Sequence, residues 1–238
     1  KRHRRVISTT ASIFFPRRFS AWHCYLTFKT TQIPEKFRFF LNIAGPSLGR
    51  VSNAIRVAAH TPRVAQPLVG FMVSALRTEV SGVLEMRIKA LIILKTSTLN
   101  GCAYCIGHNT ALGRSLGFKE EEIEEISQDY PSSDYFSPAD KAAIHWAECL
   151  TERTYKRHPE VMAQLKLHFN DAQIVEITMV SGFFNFWNRF TDALEIDIES
   201  SDSVGNIQRS KTVDVEDYVK YMRDCWWNDG AYTREAAE

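Results

Sequence analysis

Hydrophobic residues recur every three or four positions from about residue 60 onward, the spacing that places them on one face of a helix. Stretch 62–78 carries such a stripe, and stretch 84–99 is apolar around most of its surface, as in a buried helix. No strand-like alternation follows residue 60. The pattern predicts an all-α chain whose further helices cover 102–116, 119–128, 138–150, 159–169, 172–194 and 214–227.

Helix start and stop signals divide this pattern. Ser137–Pro138 and Asn170–Asp171 can cap helices, while Asn100–Gly101 predicts a break between two of them. Residues 196–212 are polar and Ser-rich, which predicts a loop or linker. We therefore expect three parts. These are a basic N-terminal segment at 1–40, a helical domain at 41–196, and a polar linker with an amphipathic helix at 197–238.

Composition places the chain among ordinary globular proteins. Its 238 residues are enough for a full core, and a net charge of +1 argues against a nucleic-acid partner. No apolar run reaches 18 residues, so no membrane partner is expected. Residues 1–20 are Arg-rich and acid-free, which resembles a transit peptide or is an untidy N-terminus. We expect a cytoplasmic protein, with a mitochondrial location as the alternative.

The cysteines supply the candidate chemistry. An odd, sparse set in a chain of this length does not form a secreted disulfide framework and favours a reducing compartment. Cys102 and Cys105 form a C-x-x-C pair at a predicted helix start. Residues three apart on a helix have Cα atoms about 5 Å apart, within disulfide range, and a helix N-terminus lowers thiol pKa values. The other cysteines are expected to be structural: Cys24, Cys149 and Cys225.

His108 follows Cys105 by three residues and so lies on the same helical face, where it could take or share the thiol proton. Other interpretations stay open at this point. The cysteines could simply be core residues, or His108 a surface histidine. The set Cys102, Cys105 and His108 could also be three zinc ligands, with His145 or His168 as the fourth.

The stretch LEMRIKALIILKTSTLNGCAYCIGHNTALGRSLG at 84–117 resembles the alkylhydroperoxidase D and carboxymuconolactone decarboxylase-like superfamily. The resemblance extends over roughly 55–196 and includes the Phe-rich segment at 175–196. It implies an all-α helical bundle that could contain a repeated hairpin, and a homo-oligomer. It also implies hydroperoxide reduction, with Cys105 as the peroxidatic cysteine and Cys102 as the resolving one.

The chain departs from the family pattern at two positions. Ala90 stands where the family has a glutamate, and Asn109 stands where it has the histidine, with His108 one residue earlier. A carboxylate from another helix could replace the missing glutamate. Glu176 is the favoured candidate and Glu148 the second. Asn109 and Tyr104 are further candidates for the proton relay, and we expect low peroxidase activity that rises with pH.

These observations predict a thiol-dependent oxidoreductase that reduces a small hydroperoxide or a disulfide. An external thiol would reduce it in turn, and no cofactor or metal is implied because no phosphate-binding glycine loop is present. The alternatives are a non-enzymatic helical interaction protein with a degenerate site and a zinc-binding module. The apolar stripe of 214–227 needs cover from the core or a second subunit, which supports the expected homo-oligomer.

Overall fold

The computed structural model describes residues 51–205 and 212–228, and within these ranges it contains helices and no strand. The predicted all-α fold is confirmed. The expected basic segment at 1–40 and Cys24 lie outside the described residues. The helices, in chain order, are α1 Asn53–Ala58, α2 Pro62–Leu76, α3 Thr78–Ser81, α4 Met86–Leu99, α5 Ala103–Ser115, α6 Glu120–Ser127, α7 Pro138–Glu152, α8 Pro159–Lys166, α9 Asp171–Ala193, α10 Ser201–Gly205 and α11 Val215–Arg223, followed by a 3₁₀ turn at Trp226–Asn228.

Helix α4 is the centre of the bundle and packs against α5, α7 and α9. Every residue from Ile88 to Ser97 is buried, as its nearly continuous apolar sequence predicts. The burial includes two charged residues, Lys89 and Lys95, each paired with a glutamate of a neighbouring helix. Such pairing offsets the cost of removing a charge from water.

The expected caps form where the sequence places them. Ser137 and Asn170 each accept a hydrogen bond from the backbone three residues later, so that α7 and α9 begin where predicted. Gly101 has a φ of 66°, in the left-handed region that glycine tolerates, and ends α4. The chain then turns directly into α5, which begins immediately after Cys102.

The C-terminal part differs from the sequence expectation. The stretch 196–212, predicted as a linker, contains the short helix α10, and α11 ends at Arg223 rather than 227. Helix α11 packs on α2, where the hydroxyl of Tyr221 donates to the carbonyl of Gln66 at 2.6 Å. In the described ranges no helix is both long and apolar enough to cross a membrane.

Candidate functional site

The two candidate cysteines lie at the first turn of α5. Cys102 is the N-cap residue, and its sulfur accepts a hydrogen bond from the backbone N–H of Cys105 at 3.3 Å. Both cysteines are free thiols and only 1% exposed. A sulfur at this position takes the role usually filled by a Ser or Asp oxygen, so the local fold itself favours negative charge on Cys102.

A threonine from α9 joins the pair. The Thr191 hydroxyl lies 3.2 Å from the sulfur of Cys102 and 3.3 Å from that of Cys105. The same hydroxyl also lies 3.0 Å from the carbonyl of Trp187. A hydroxyl has one proton and two lone pairs, so Thr191 can donate to a thiolate or accept from a thiol while staying in place.

The electrostatics of the two thiols differ. Hydrogen bonds from the Cys105 thiol, from Thr191 and from the Cys105 backbone outweigh burial and lower the pKa of Cys102 to about 6. The neighbouring Cys102 and burial raise the pKa of Cys105. The pair therefore titrates as a unit that holds one proton between two sulfurs, with the charge on Cys102.

A cavity of about 120 Å³ borders the second cysteine. Cys105 and His108 line it, whereas Cys102 lies behind them. Most of its wall is apolar, with Lys89 and Arg77 contributing the cationic part. A small substrate in this space would meet Cys105 first. The cavity wall also includes Tyr104, Asn109 and Trp187.

His108 is buried and contacts a carboxylate that the sequence pattern did not identify. Its Nε2 lies 2.6 Å from Oε2 of Glu199, which follows the end of α9 by six residues. The other Glu199 oxygen accepts from the backbone N–H of Asn53 and from the Tyr104 hydroxyl. Burial raises the pKa of Glu199, but His108 and the backbone N–H of Asn53 outweigh it and lower the pKa to about 2.

Glu176, the favoured relay carboxylate, does not contact His108. It forms an ion pair with Lys89 at 2.5 Å, and the Lys89 ammonium also donates to Ser81 at 3.0 Å. Glu148, the second candidate, pairs with Lys95 at 3.3 Å and accepts from the Tyr130 hydroxyl. Each predicted carboxylate thus neutralises a buried lysine, and the expectation that Glu176 faces the histidine is corrected.

The two other relay candidates are held in polar contacts. Asn109 is buried and donates to the Ser97 hydroxyl at 3.0 Å, and Asn188 of α9 donates to the same oxygen at 3.1 Å. Asn109 therefore ties α5 to α4 and offers no basic group. Tyr104 accepts from the backbone N–H of Ala54 at 3.2 Å, and burial followed by the nearby Glu199 raises its pKa. As a neutral phenol, Tyr104 donates to the Glu199 carboxylate and fixes its position.

The zinc interpretation finds no geometry to support it. Across residues 51–205 and 212–228, no three His, Cys, Asp or Glu side chains come together as a metal site. His145 and His168 are exposed, whereas Cys102 and Cys105 are buried. Cys149 and Cys225 are buried core residues on other elements, as expected for structural cysteines.

Comparison with known proteins agrees with this fold. Residues 62–148 match the model of the carboxymuconolactone decarboxylase family. The uncharacterized protein YdfG of Bacillus subtilis (strain 168) is 32% identical over 107 residues, which cover 44% of this chain and 72% of YdfG. The bundle and its sulfur pair thus define a helical protein of the alkylhydroperoxidase D type. The chain belongs to the carboxymuconolactone decarboxylase-like superfamily.

Two solved structures show the same architecture. A peroxidase-related protein from Silicibacter sp. TM1040, itself uncharacterized, superposes with a TM-score of 0.64 at 21% identity, over 76% of this chain and 94% of that one. A protein of unknown function from Agrobacterium tumefaciens, a candidate AhpD of antioxidant defence, gives 0.55 at 27% identity, over 61% and 97%. These similarities support an AhpD-like, peroxidase-related fold.

Proposed function

We propose that this protein is a thiol oxidoreductase that reduces a small hydroperoxide, or a disulfide, with the Cys102–Cys105 couple. The observation that carries the proposal is a pair of buried sulfurs that share contact with the Thr191 hydroxyl, one of which lines a cavity. A thiolate is the nucleophile in both reactions, and an adjacent second sulfur allows the first to be resolved as a disulfide.

The proposed reaction balances without a cofactor. The shared proton moves from Cys105 to Cys102, and the Cys105 thiolate attacks the outer oxygen of the hydroperoxide. The O–O bond breaks, the alcohol leaves with a proton from His108, and Cys105 becomes a sulfenic acid. The Cys102 sulfur then forms the S–S bond and water leaves. An external thiol reduces the disulfide, so the net reaction is ROOH plus two thiols to ROH, water and one disulfide.

The test is hydroperoxide consumption with dithiothreitol as the reductant. We expect Cys105→Ser to abolish turnover and Cys102→Ser to react once, leaving a sulfenic acid that dimedone traps. Cys149→Ser is the matched control, because Cys149 is equally buried but lies on α7. Full turnover by Cys105→Ser would contradict the proposal.

The non-enzymatic alternative makes a different prediction. An interaction protein with a degenerate site would leave hydroperoxide untouched. We expect mass spectrometry after mild oxidation to find the Cys102–Cys105 bridge before any bond to Cys149 or Cys225, because both sulfurs of this pair contact the Thr191 hydroxyl.

We also propose a homo-oligomer. Helix α9 buries one face in the bundle and exposes apolar side chains on the other, among them Val175, Met179 and Phe186, with Phe71 of α2 beside them. Contiguous exposed apolar surface of this kind is typical of protein interfaces. Light scattering at micromolar concentration should give a mass above that of one chain, and Met179→Glu should lower it. A monomer in both cases would remove this proposal.

A further inference from the structure

The carboxylate that contacts His108 comes from outside the regular helices. Residues 197–199, which we call the strap, cross the start of the bundle after α9 and lie against α1 and α5. The strap backbone is held by Asn53, whose side chain donates to the carbonyl of Asp197 at 3.0 Å. The Glu199 side chain is only 12% exposed, whereas Ile198 is 45% exposed and rests the end of its side chain on Gly107 of α5.

The helix beneath the strap has a glycine at the point of closest approach. A Cβ added at Gly107 would lie 2.4 Å from the terminal carbon of Ile198, closer than two carbon atoms can pack. Gly107 stands directly before His108 in the chain. The absence of a side chain at Gly107 therefore leaves room for the end of the Ile198 side chain next to the residue that contacts Glu199.

We infer that Glu199 is a positioning residue for His108, and that the strap completes the thiol site with the carboxylate that Ala90 cannot supply. The catalytic consequence rests on the proposed function. Glu199 faces Nε2 and is itself fixed by Asn53 and Tyr104, so the imidazole ring is held in one orientation. A ring held in one orientation presents the same face to the cavity that Cys105 also lines.

Other groups lie close to the ring. Tyr104 and Cys105 share α5 with His108, and the Tyr104 ring packs against the imidazole with centroids 4.5 Å apart. Lys89 of α4 and Arg77 after α2 border the same cavity. Glu199 is the carboxylate in contact with the ring nitrogen.

The first experiment compares wild type, Glu199→Ala and Glu176→Gln by NMR. Glu199→Ala should weaken the nuclear Overhauser contacts between the His108 and Tyr104 rings, whose centroids lie 4.5 Å apart, because the contact that fixes Nε2 is lost. Glu176→Gln alters a carboxylate of similar burial that pairs with Lys89, and should leave these contacts in place. Unchanged ring contacts in Glu199→Ala overturn the inference.

The second readout is hydroperoxide turnover. Glu199→Ala should lower kcat about tenfold with little change in KM, because the ring is no longer held in place for the chemical step. Glu199→Gln can still contact Nε2 and should restore part of the lost kcat. A wild-type kcat in Glu199→Ala, or a loss in KM alone, would overturn the inference. A protein with no Cys105-dependent turnover would refute the proposed function instead, while the NMR ring contacts would still decide on the strap.

Discussion

Two buried pairs, each of one carboxylate and one nitrogen base, lie on either side of the candidate cavity, and they differ in how they are built. Lys89–Glu176 joins α4 to α9, two long helices of the bundle, and the lysine is completely buried. His108–Glu199 joins α5 to the strap, which belongs to no long helix. The first pair is anchored by the packing of the core, and the second by hydrogen bonds from Asn53 and Tyr104 to the strap.

The two pairs also differ in whether the fold favours the charge that they contain. Burial, the largest contribution, lowers the pKa of Lys89 even though Glu176 opposes it, so the folded protein bears a cost for holding this lysine charged. For Glu199 the hydrogen bonds outweigh burial, and its pKa falls to about 2. The carboxylate next to His108 is therefore stabilised as an anion, while the pair at Lys89 compensates a charge that the core does not favour.

The largest effect we predict comes from breaking the core pair. Lys89→Met should lower the free energy of unfolding by about 3–5 kcal/mol, because it leaves Glu176 buried without its cation. The double variant Lys89→Met/Glu176→Leu should regain most of that loss, since an apolar pair carries no desolvation cost. Urea unfolding measures both. If the single variant is as stable as wild type, Glu176 is not dependent on Lys89 and the comparison fails.

The second prediction concerns acid stability and the strap pair. A carboxylate whose folded pKa is depressed stabilises the protein above its unfolded pKa, and this stability is lost as pH falls through the folded value. For Glu199 the window runs from about 4.5 down to about 2, and the effect is roughly 2–3 kcal/mol.

Acid unfolding curves of wild type and Glu199→Gln test this window. The variant should be less stable than wild type at pH 6 and should lose less stability between pH 5 and pH 2. Glu176→Gln is the control, because it removes a carboxylate from the core pair instead. Parallel curves for wild type and Glu199→Gln would show that the strap pair contributes nothing to stability.

The same comparison shows what sequence reasoning can reach. Helix periodicity, the caps at Ser137 and Asn170, and the break at Gly101 predicted the bundle, because each depends on residues close together in the chain. The sulfur pair was visible for the same reason, since Cys102 and Cys105 share one helical turn.

The partners of the site could not be predicted in this way. Thr191 lies 86 residues beyond Cys105, and no local signal marks a helical threonine as a sulfur contact. Glu199 lies in a polar stretch that resembles a linker, and its role depends on how the strap returns to α1 and α5. A repeated hairpin would place Glu176 opposite Ala90, which is why the sequence favours it, but in the structure this carboxylate pairs with Lys89.

The smallest effect we predict concerns the Cys102 thiolate. Hydrogen bonds stabilise this anion, whereas the carboxylates of Glu176 and Glu199 each contact a nitrogen base. The pKa of Cys102 is lowered to about 6 by the Cys105 thiol and, with smaller effects, by Thr191 and the Cys105 backbone. Absorbance at 240 nm should therefore show one thiolate appearing near pH 6. The second thiol should remain protonated well above neutral pH, because the first charge and burial raise the pKa of Cys105.

Thr191→Val should raise the first midpoint by about one unit, equivalent to about 1.4 kcal/mol, since valine has a similar shape but lacks the hydroxyl donor. Thr178→Val is the matched control, because Thr178 lies on the same helix but contacts Trp146. Equal midpoints in wild type and Thr191→Val would mean that the threonine only accepts from the thiols and does not stabilise the anion.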